Sequence, residues 1–166
     1  MTVLDLCAAP GNKTAQIISL GGRVIAADKY FKRLTDVPAE AQRVVLDGAT
    51  MLPFSGKFDR ILVDAPCSGT GTLARNPEIK WRLRPEDLSR FAALQRKILE
   101  NALPSIKPGG RLVYATCSLE REENEDIVKG LPVTATHLRL PGRDPGDGFF
   151  AAVIIPAVII EDGVHG

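Results

Sequence analysis

Two thiols and a carboxylate are the side chains of this sequence best suited to chemistry. Asp64 and Cys67 stand in Ile61-Leu-Val-Asp-Ala-Pro-Cys-Ser-Gly-Thr-Gly71, where three aliphatic residues run into a proline-stiffened loop that ends in glycine. Cys117 stands in Tyr114-Ala-Thr-Cys-Ser118, again directly after an aliphatic stretch. A buried strand that stops at a polar loop holds such side chains at the carboxyl edge of a sheet, where α/β folds bind their ligands. Lone cysteines are mostly small buried hydrophobes. Two that end neighbouring strands are too many for chance; such a pair could be a redox couple, but a redox couple leaves Asp64 without a task.

A third motif, Asp5-Leu-Cys-Ala-Ala-Pro-Gly-Asn-Lys-Thr14, follows the first strand. Its Lys-Thr ending loosely mimics a phosphate-cradling loop, whose backbone amides need glycine at both ends of the motif. Cys7 and Asn12 occupy those positions, and a β-carbon at each blocks the close approach. A tight loop at a helix amino end, with Asp28 closing the second strand, suits a nucleoside-bearing cofactor better, Asp28 accepting from the ribose hydroxyls.

The elements that must position these residues alternate. Strands are expected at Thr2–Leu6, Arg23–Ala27, Arg43–Leu46, Phe58–Val63 and Arg111–Ala115, with two more at Val133–Leu140 and Phe149–Ile155. Helices are expected at Ala15–Leu20, weakly over Lys29–Ala41 where Pro38 interrupts, and from Pro85 onward. In that last helix Leu88, Phe91, Ala92, Leu94, Ile98, Leu99, Ala102 and Leu103 form one apolar stripe. Lys107–Gly110 reads as a turn, and the acids from Glu120 to Asp126 as a helix start. Such alternation predicts an α/β fold, a doubly wound, mostly parallel sheet with helices on both faces, in a single domain over residues 1–166. The carboxyl ends of the first five strands then carry Cys7 and Gly11, Asp28, Asp47, Asp64 and Cys67, and Cys117, all on one edge.

The 166 residues, 45% hydrophobic and 25% charged, are enough for one domain with a proper core. A net charge of +1 announces no nucleic-acid partner, but Arg75 to Arg111 holds nine Lys/Arg against four Asp/Glu. A basic run is usually a solvated helix face; this one directly follows Asp64 and Cys67. Three dispersed cysteines and two histidines point away from a disulfide framework or metal site and toward a reducing, cytoplasmic compartment. No apolar run reaches membrane-spanning length, and no signal peptide opens the chain. A monomer without metal or membrane partner is expected.

The motifs Asp5–Thr14, Asp64–Gly71 and Lys107–Leu119 resemble the signature motifs of the Sun (Fmu) family of RNA cytosine-5 methyltransferases, which use S-adenosyl-L-methionine. Arg75-Asn-Pro-Glu-Ile-Lys-Trp81 and Asp147-Gly-Phe-Phe150 match as well, nearest the bacterial 16S ribosomal RNA branch. The resemblance implies a Rossmann-like class I methyltransferase. It implies that Cys117 is the nucleophile, that Cys67 helps remove the C5 proton, and that Asp64 binds the base edge. Related DNA enzymes use the Pro-Cys thiol as nucleophile, so sequence logic alone leaves the two roles open. The cofactor is implied to lie along Cys7, Ala8, Ala9, Pro10, Gly11 and Lys13, with Lys13 on its carboxylate. Asp28 would take the ribose and Asp47 and Gly48 the adenine, and Asp64 is implied among the cofactor-binding residues as well. The implied partner is RNA, most readily ribosomal RNA with an unstacked cytosine. Arg75, Lys80 and Arg82 are candidates for its phosphates, and Trp81 either stacks on a base or packs inside. Asn12 replaces a family glycine, and asparagine tolerates a positive φ. No counterpart of the family's amino-terminal RNA-binding domain precedes the first strand, and the segments after Asp28 and Asp126 are short. A non-catalytic module that binds the cofactor or RNA is the competing expectation.

Overall fold

A computed structural model describes residues 1–156. Its strands are β1 (Thr2–Leu6), β2 (Arg23–Asp28), β3 (Gln42–Val45), β4 (Phe58–Asp64), β5 (Ile106–Thr116), β6 (Val133–Arg139) and β7 (Phe149–Ile154). They form one sheet in the order β3-β2-β1-β4-β5-β7-β6. The first five pair in parallel, and β7 runs antiparallel to both β5 and β6. The chain leaves β1 toward β2 and β3 on one side and returns to β4 and β5 on the other. The crevice at that switch point is where such sheets bind ligands. The helices are α1 (Asn12–Ser19), α2 (Phe31–Leu34), α3 (Ile79–Arg82), α4 (Pro85–Ala102) and α5 (Glu125–Val128). The α/β, mostly parallel architecture expected from the alternation is thus the one observed.

Strands covered on both faces read as continuous aliphatic runs because every side chain is buried. In β2, Val24 and Ala26 join Leu34, Val37 and Ala41 in one apolar cluster, while Ile25 and Ala27 face a larger one. Alternate residues point to opposite faces, so the two clusters lie on opposite sides of the sheet. The larger cluster receives Ile98, Leu99 and Ala102 of α4. That helix starts as its first turn predicts: Asp87 accepts the Arg84 N–H at 3.0 Å.

Three local expectations need correcting. Positive φ falls on Gly11 (105°) and Cys7 (71°), not on Asn12, which is the first residue of α1. Asparagine therefore replaces glycine there without strain, and the helix begins three residues earlier than its apolar residues suggest. Lys107–Gly110 is not a separate turn. It lies inside β5, where the pairing with β4 shifts register between Phe58 and Arg60. The glycines allow this bulge: Gly109 has φ 74°, and a β-carbon on Gly110 would meet the Asp59 carbonyl at 3.0 Å. Finally, the acidic run is a 3-10 turn at Arg121–Glu123 followed by α5, and Glu123 is fully buried rather than solvated. The tail after Pro156, apolar and then acidic, lies outside the described residues.

Candidate active site

The loops that follow β4 and β5 are bonded to each other. Ala65 donates its N–H to the Ala115 carbonyl at 2.9 Å, and Gly71 donates to the Cys117 carbonyl at 2.9 Å. Gly71 is pressed so closely that a β-carbon would stand 2.7 Å from that carbonyl and 2.6 Å from the Gly148 carbonyl. No larger residue fits there. The clamp brings the Cys67 and Cys117 sulfurs to 3.4 Å.

At that distance the two thiols are hydrogen-bonded, and either sulfur can donate. The bond with Cys67 holds the Cys117 thiol below its ordinary range, against the opposing effects of burial and Asp64. Lys13 assists. The same bond, with desolvation, pushes the Cys67 thiol well above its ordinary range. A thiolate is the reactive form of cysteine, and of the two thiols Cys117 is the one shifted toward it. Cys7 differs: burial, with Asp28 and Asp64 adding, pushes its thiol up to about 12. It is chemically quiet.

Asp64 ends β4 beside the thiols, and its Oδ2 accepts from Lys13 Nζ at 2.5 Å. Lys13 also lies 5.9 Å from the Phe149 ring centre. Lys13, expected on a cofactor carboxylate, is here engaged with Asp64.

A cleft of about 360 Å³ runs from Cys67 and Cys117 across the ends of β1, β2 and β3. Of the residues proposed from sequence, Cys7, Ala9, Asp28, Asp47, Gly48, Asp64, Cys67 and Cys117 line it. Ala8, Pro10, Gly11 and Lys13 belong to the adjoining loop without lining it. The sequence reading missed Tyr30, Arg33, Leu94 and Ile98 on its wall. The two aliphatics were legible only as core, and nothing in local pattern marks the other two.

The cleft suits a nucleoside that carries cationic groups. Three carboxylates, Asp28, Asp47 and Asp64, line it beside apolar Leu6, Leu46, Leu94 and Ile98, which would cover a ring. Asp28, 3% exposed, accepts the Tyr30 N–H at 3.0 Å and the Ala9 N–H at 3.4 Å, which aims it inward. Arg33 lies 3.6 Å from Asp28, and Lys29 lies 2.8 Å from Asp47. Both cations are more than half exposed, so hydroxyls can displace them cheaply.

Of the basic residues in the Arg75–Arg111 segment, Arg82 borders the site. Arg82 and Cys67 line a second, smaller cavity of about 210 Å³. Buried Ile79 anchors α3, which leaves Lys80 exposed and Trp81 85% exposed. Trp81 is therefore not a packed core aromatic. Arg75 is tied elsewhere, its Nε donating to Asp147 at 2.7 Å. Among the described residues no group of three His, Cys, Asp or Glu could hold a metal ion, and no helix is long and apolar enough to cross a membrane.

The sheet order and the crevice at its switch point define the Rossmann-like fold of class I S-adenosylmethionine-dependent methyltransferases. The N-methyltransferase NodS from Bradyrhizobium japonicum, solved in complex with S-adenosyl-L-homocysteine, shares that fold at a TM-score of 0.62 and 13% identity, over 92% of this chain and 76% of that one. Within this class the chain belongs to the 16S rRNA methyltransferase RsmB/F family, whose model matches residues 1–140. It is 42% identical to ribosomal RNA small subunit methyltransferase B of Salmonella paratyphi A over 178 aligned positions, covering 92% of this chain and 42% of that relative. The structure of NSun6 from Pyrococcus horikoshii with SFG superposes with a TM-score of 0.81 at 30% identity, over 93% of this chain and 47% of that one. The chain thus spans under half the length of these relatives.

Proposed function

We propose that this chain transfers a methyl group from S-adenosylmethionine to C5 of a cytosine in RNA, ribosomal RNA first, through a covalent adduct on Cys117. The observation that carries the reading is the pair of sulfurs 3.4 Å apart, beside a strand-end carboxylate and at the mouth of a cleft fit for the cofactor. When bound, the cofactor supplies an electrophilic methyl on a sulfonium.

Cytosine C5 is a weak nucleophile until C6 is saturated. The Cys117 thiolate forms a bond to C6, and the C5–C6 electron pair becomes available at C5 for methyl capture. Asp64 accepts an N–H from the base edge and orients the ring, and the Lys13 ammonium bonded to Asp64 offsets the negative charge that builds on the ring nitrogen. Cys67 faces the same two carbons. With Cys117 bonded to C6, the thiolate that held the proton on Cys67 is gone; Cys67 then releases that proton to water in the open cleft and, as a thiolate, takes the C5 proton. The C6–S bond then breaks and Cys117 leaves as a thiolate. Asp28 and Asp47 hold the nucleoside end of the cofactor, while Leu94 and Ile98 exclude water from it. The target base enters unstacked, because a ring within a helix exposes neither face to a thiol. Trp81, Lys80 and Arg82 flank that entry, suited to a base and to phosphates.

The test is transfer of label from S-adenosylmethionine into unmodified ribosomal and transfer RNA, with mass spectrometry of the nucleosides. The expected product is 5-methylcytidine. Cofactor binding without label in any RNA would leave a binding module instead.

A further inference from the structure

The most unusual side chain outside the cleft is Glu123. It is 0% exposed, and among the described residues no lysine or arginine pairs with it. A carboxylate without a cation is costly to bury unless donors surround it. Here four donors do. Oε1 accepts from the Ser68 N–H and from Gln95 Nε2, each at 2.9 Å. Oε2 accepts from the hydroxyls of Ser68 and of Ser118, the latter at 2.5 Å. Its own backbone is fixed, the Glu123 carbonyl accepting from the Tyr114 hydroxyl at 2.6 Å.

These donors are not scattered. Ser68 follows Cys67, and Ser118 follows Cys117. Gln95 donates again through the same nitrogen to the Pro66 carbonyl at 2.9 Å, so Cys67 is bracketed on both sides. The two serine hydroxyls also lie 3.2 Å from each other. One carboxylate therefore ties the two thiol loops together, through the backbone N–H and hydroxyl of Ser68 and the hydroxyl of Ser118. A core that only needed stability would do as well with apolar groups of the same volume, since buried charges contribute little net stability.

We infer that Glu123 is a positioning residue that sets the separation and alignment of the Cys67 and Cys117 thiols. The inference rests on the proposed two-thiol chemistry for its function, but its geometric content stands apart from it. Removing the yoke lets the loops relax independently, and the two sulfurs lose their 3.4 Å contact. A misplacement of about 1 Å at reacting groups costs on the order of 100-fold in rate.

The experiment measures the rate of Cys117 alkylation by iodoacetamide against pH in the full chain, with a Cys7→Ala, Cys67→Ser control for assignment. Glu123→Gln keeps the size of the side chain but replaces one accepting oxygen with a donor. Its alkylation profile should shift upward by about one pH unit or more, toward an ordinary thiol. Calorimetric affinity for S-adenosylmethionine should stay within about twofold, because the yoke lies outside the cleft. In methyl transfer, kcat should fall about 10- to 100-fold with KM for RNA little changed. Ser118→Ala removes one donor and keeps the carboxylate, so it should shift the profile in the same direction by less. It decides the matter if Glu123→Gln does not fold. Folded variants with the wild-type alkylation profile would overturn the inference. Wild-type chain that alkylates as expected but never methylates RNA would overturn the proposed function and leave the yoke standing.

Discussion

The carboxyl edge of the sheet is built in two ways. On the side of β1, β2 and β3, charged groups meet in loose, replaceable pairs. Arg33 reaches Asp28 at 3.6 Å and Lys29 reaches Asp47 from an exposed position. Asp5, fully buried under the first loop, has one donor, Thr14, at 2.5 Å, and its Oδ1 has no partner. On the side of β4 and β5, most buried polar groups are satisfied and several more than once, Gln95 Oε1 being the exception. Ser68, Ser118, Gln95 and Asn124 close a network in which Asn124 alone donates to the Ser118 carbonyl at 2.9 Å and accepts from Thr116 at 2.6 Å. A site that must take up and release a cofactor needs contacts that exchange with ligand hydroxyls. A site that must hold two sulfurs at one distance needs contacts that do not exchange.

The largest expected effects fall on the rigid side. Cys117→Ala should abolish methyl transfer, a loss of about 10⁴-fold or more on the scale seen when nucleophiles are removed. Cys67→Ala should instead leave a covalent protein–RNA adduct, because the bond to C6 forms and its release stalls. A denaturing gel distinguishes the two. An adduct from Cys117→Ala would reverse the roles and place the nucleophile on the loop after β4.

On the loose side, Asp5 should reveal itself through pH. Burial, which outweighs the Thr14 bond, raises its carboxyl from 3.8 to about 6, with Asp64 adding and Lys13 opposing. The folded chain therefore keeps a proton that the unfolded chain has already released between about pH 4 and 6. The favourable contribution is full below pH 4 and is lost as pH rises through 6, on the order of 3 kcal/mol in all. Asp5→Asn removes the ionisation. Asparagine still accepts from Thr14, but its amide has no acceptor, so the variant starts from a deficit of its own. Urea unfolding at pH 4.5 and 7.5 should show the stability difference moving in favour of Asp5→Asn at the higher pH. Parallel profiles would mean that Asp5 titrates as an ordinary carboxyl.

Asp28 comes next. Asp28→Ala should weaken S-adenosylmethionine by about 1–3 kcal/mol, the range for a hydrogen bond to a charged group. Calorimetry measures this directly. Unchanged affinity would confine Asp28 to ordering Ala9, Tyr30 and Arg33, and the loose side would then owe its cofactor grip to Asp47 and the apolar wall.

The strand ends were legible because each needs only a local signal: an aliphatic run stops, and a proline, glycine or acid follows. That signal placed Asp28, Asp47, Asp64, Cys67 and Cys117 on one edge, and the cleft gathers all five. The partners within the site were not legible, because they are set by tertiary approach. Glu123 sits in a run of five acids, and runs of charge read as solvated faces or helix starts. Only the folding of two serine-bearing loops onto it distinguishes it from Glu122, one residue away and exposed. Lys13 was likewise readable as a loop lysine but not as the partner of Asp64, which lies 51 residues further on. The bulge in β5 was misread for the opposite reason: Lys-Pro-Gly-Gly is a strong turn signal locally, and the ladder with β4 overrides it.

The smallest effect tests whether α3 belongs with the rigid side as an RNA-facing rim. Lys80 is exposed, and none of its described neighbours forms an ion pair with it, so its charge is free for a phosphate. If it makes one such contact, Lys80→Ala should reduce the slope of log affinity against log salt by about 0.7, the value for one phosphate on a single strand. The loss should be uniform across RNA sequences, since a phosphate carries no base identity. Cofactor affinity and the alkylation profile of Cys117 should not move, because Lys80 lines neither the cleft nor the cavity beside Cys67. A filter-binding titration at four salt concentrations measures the slope. An unchanged slope would make Lys80 a solvated lysine, and would leave Arg82, at the end of α3 and the edge of the thiol cavity, as the basic residue through which RNA meets the rigid half.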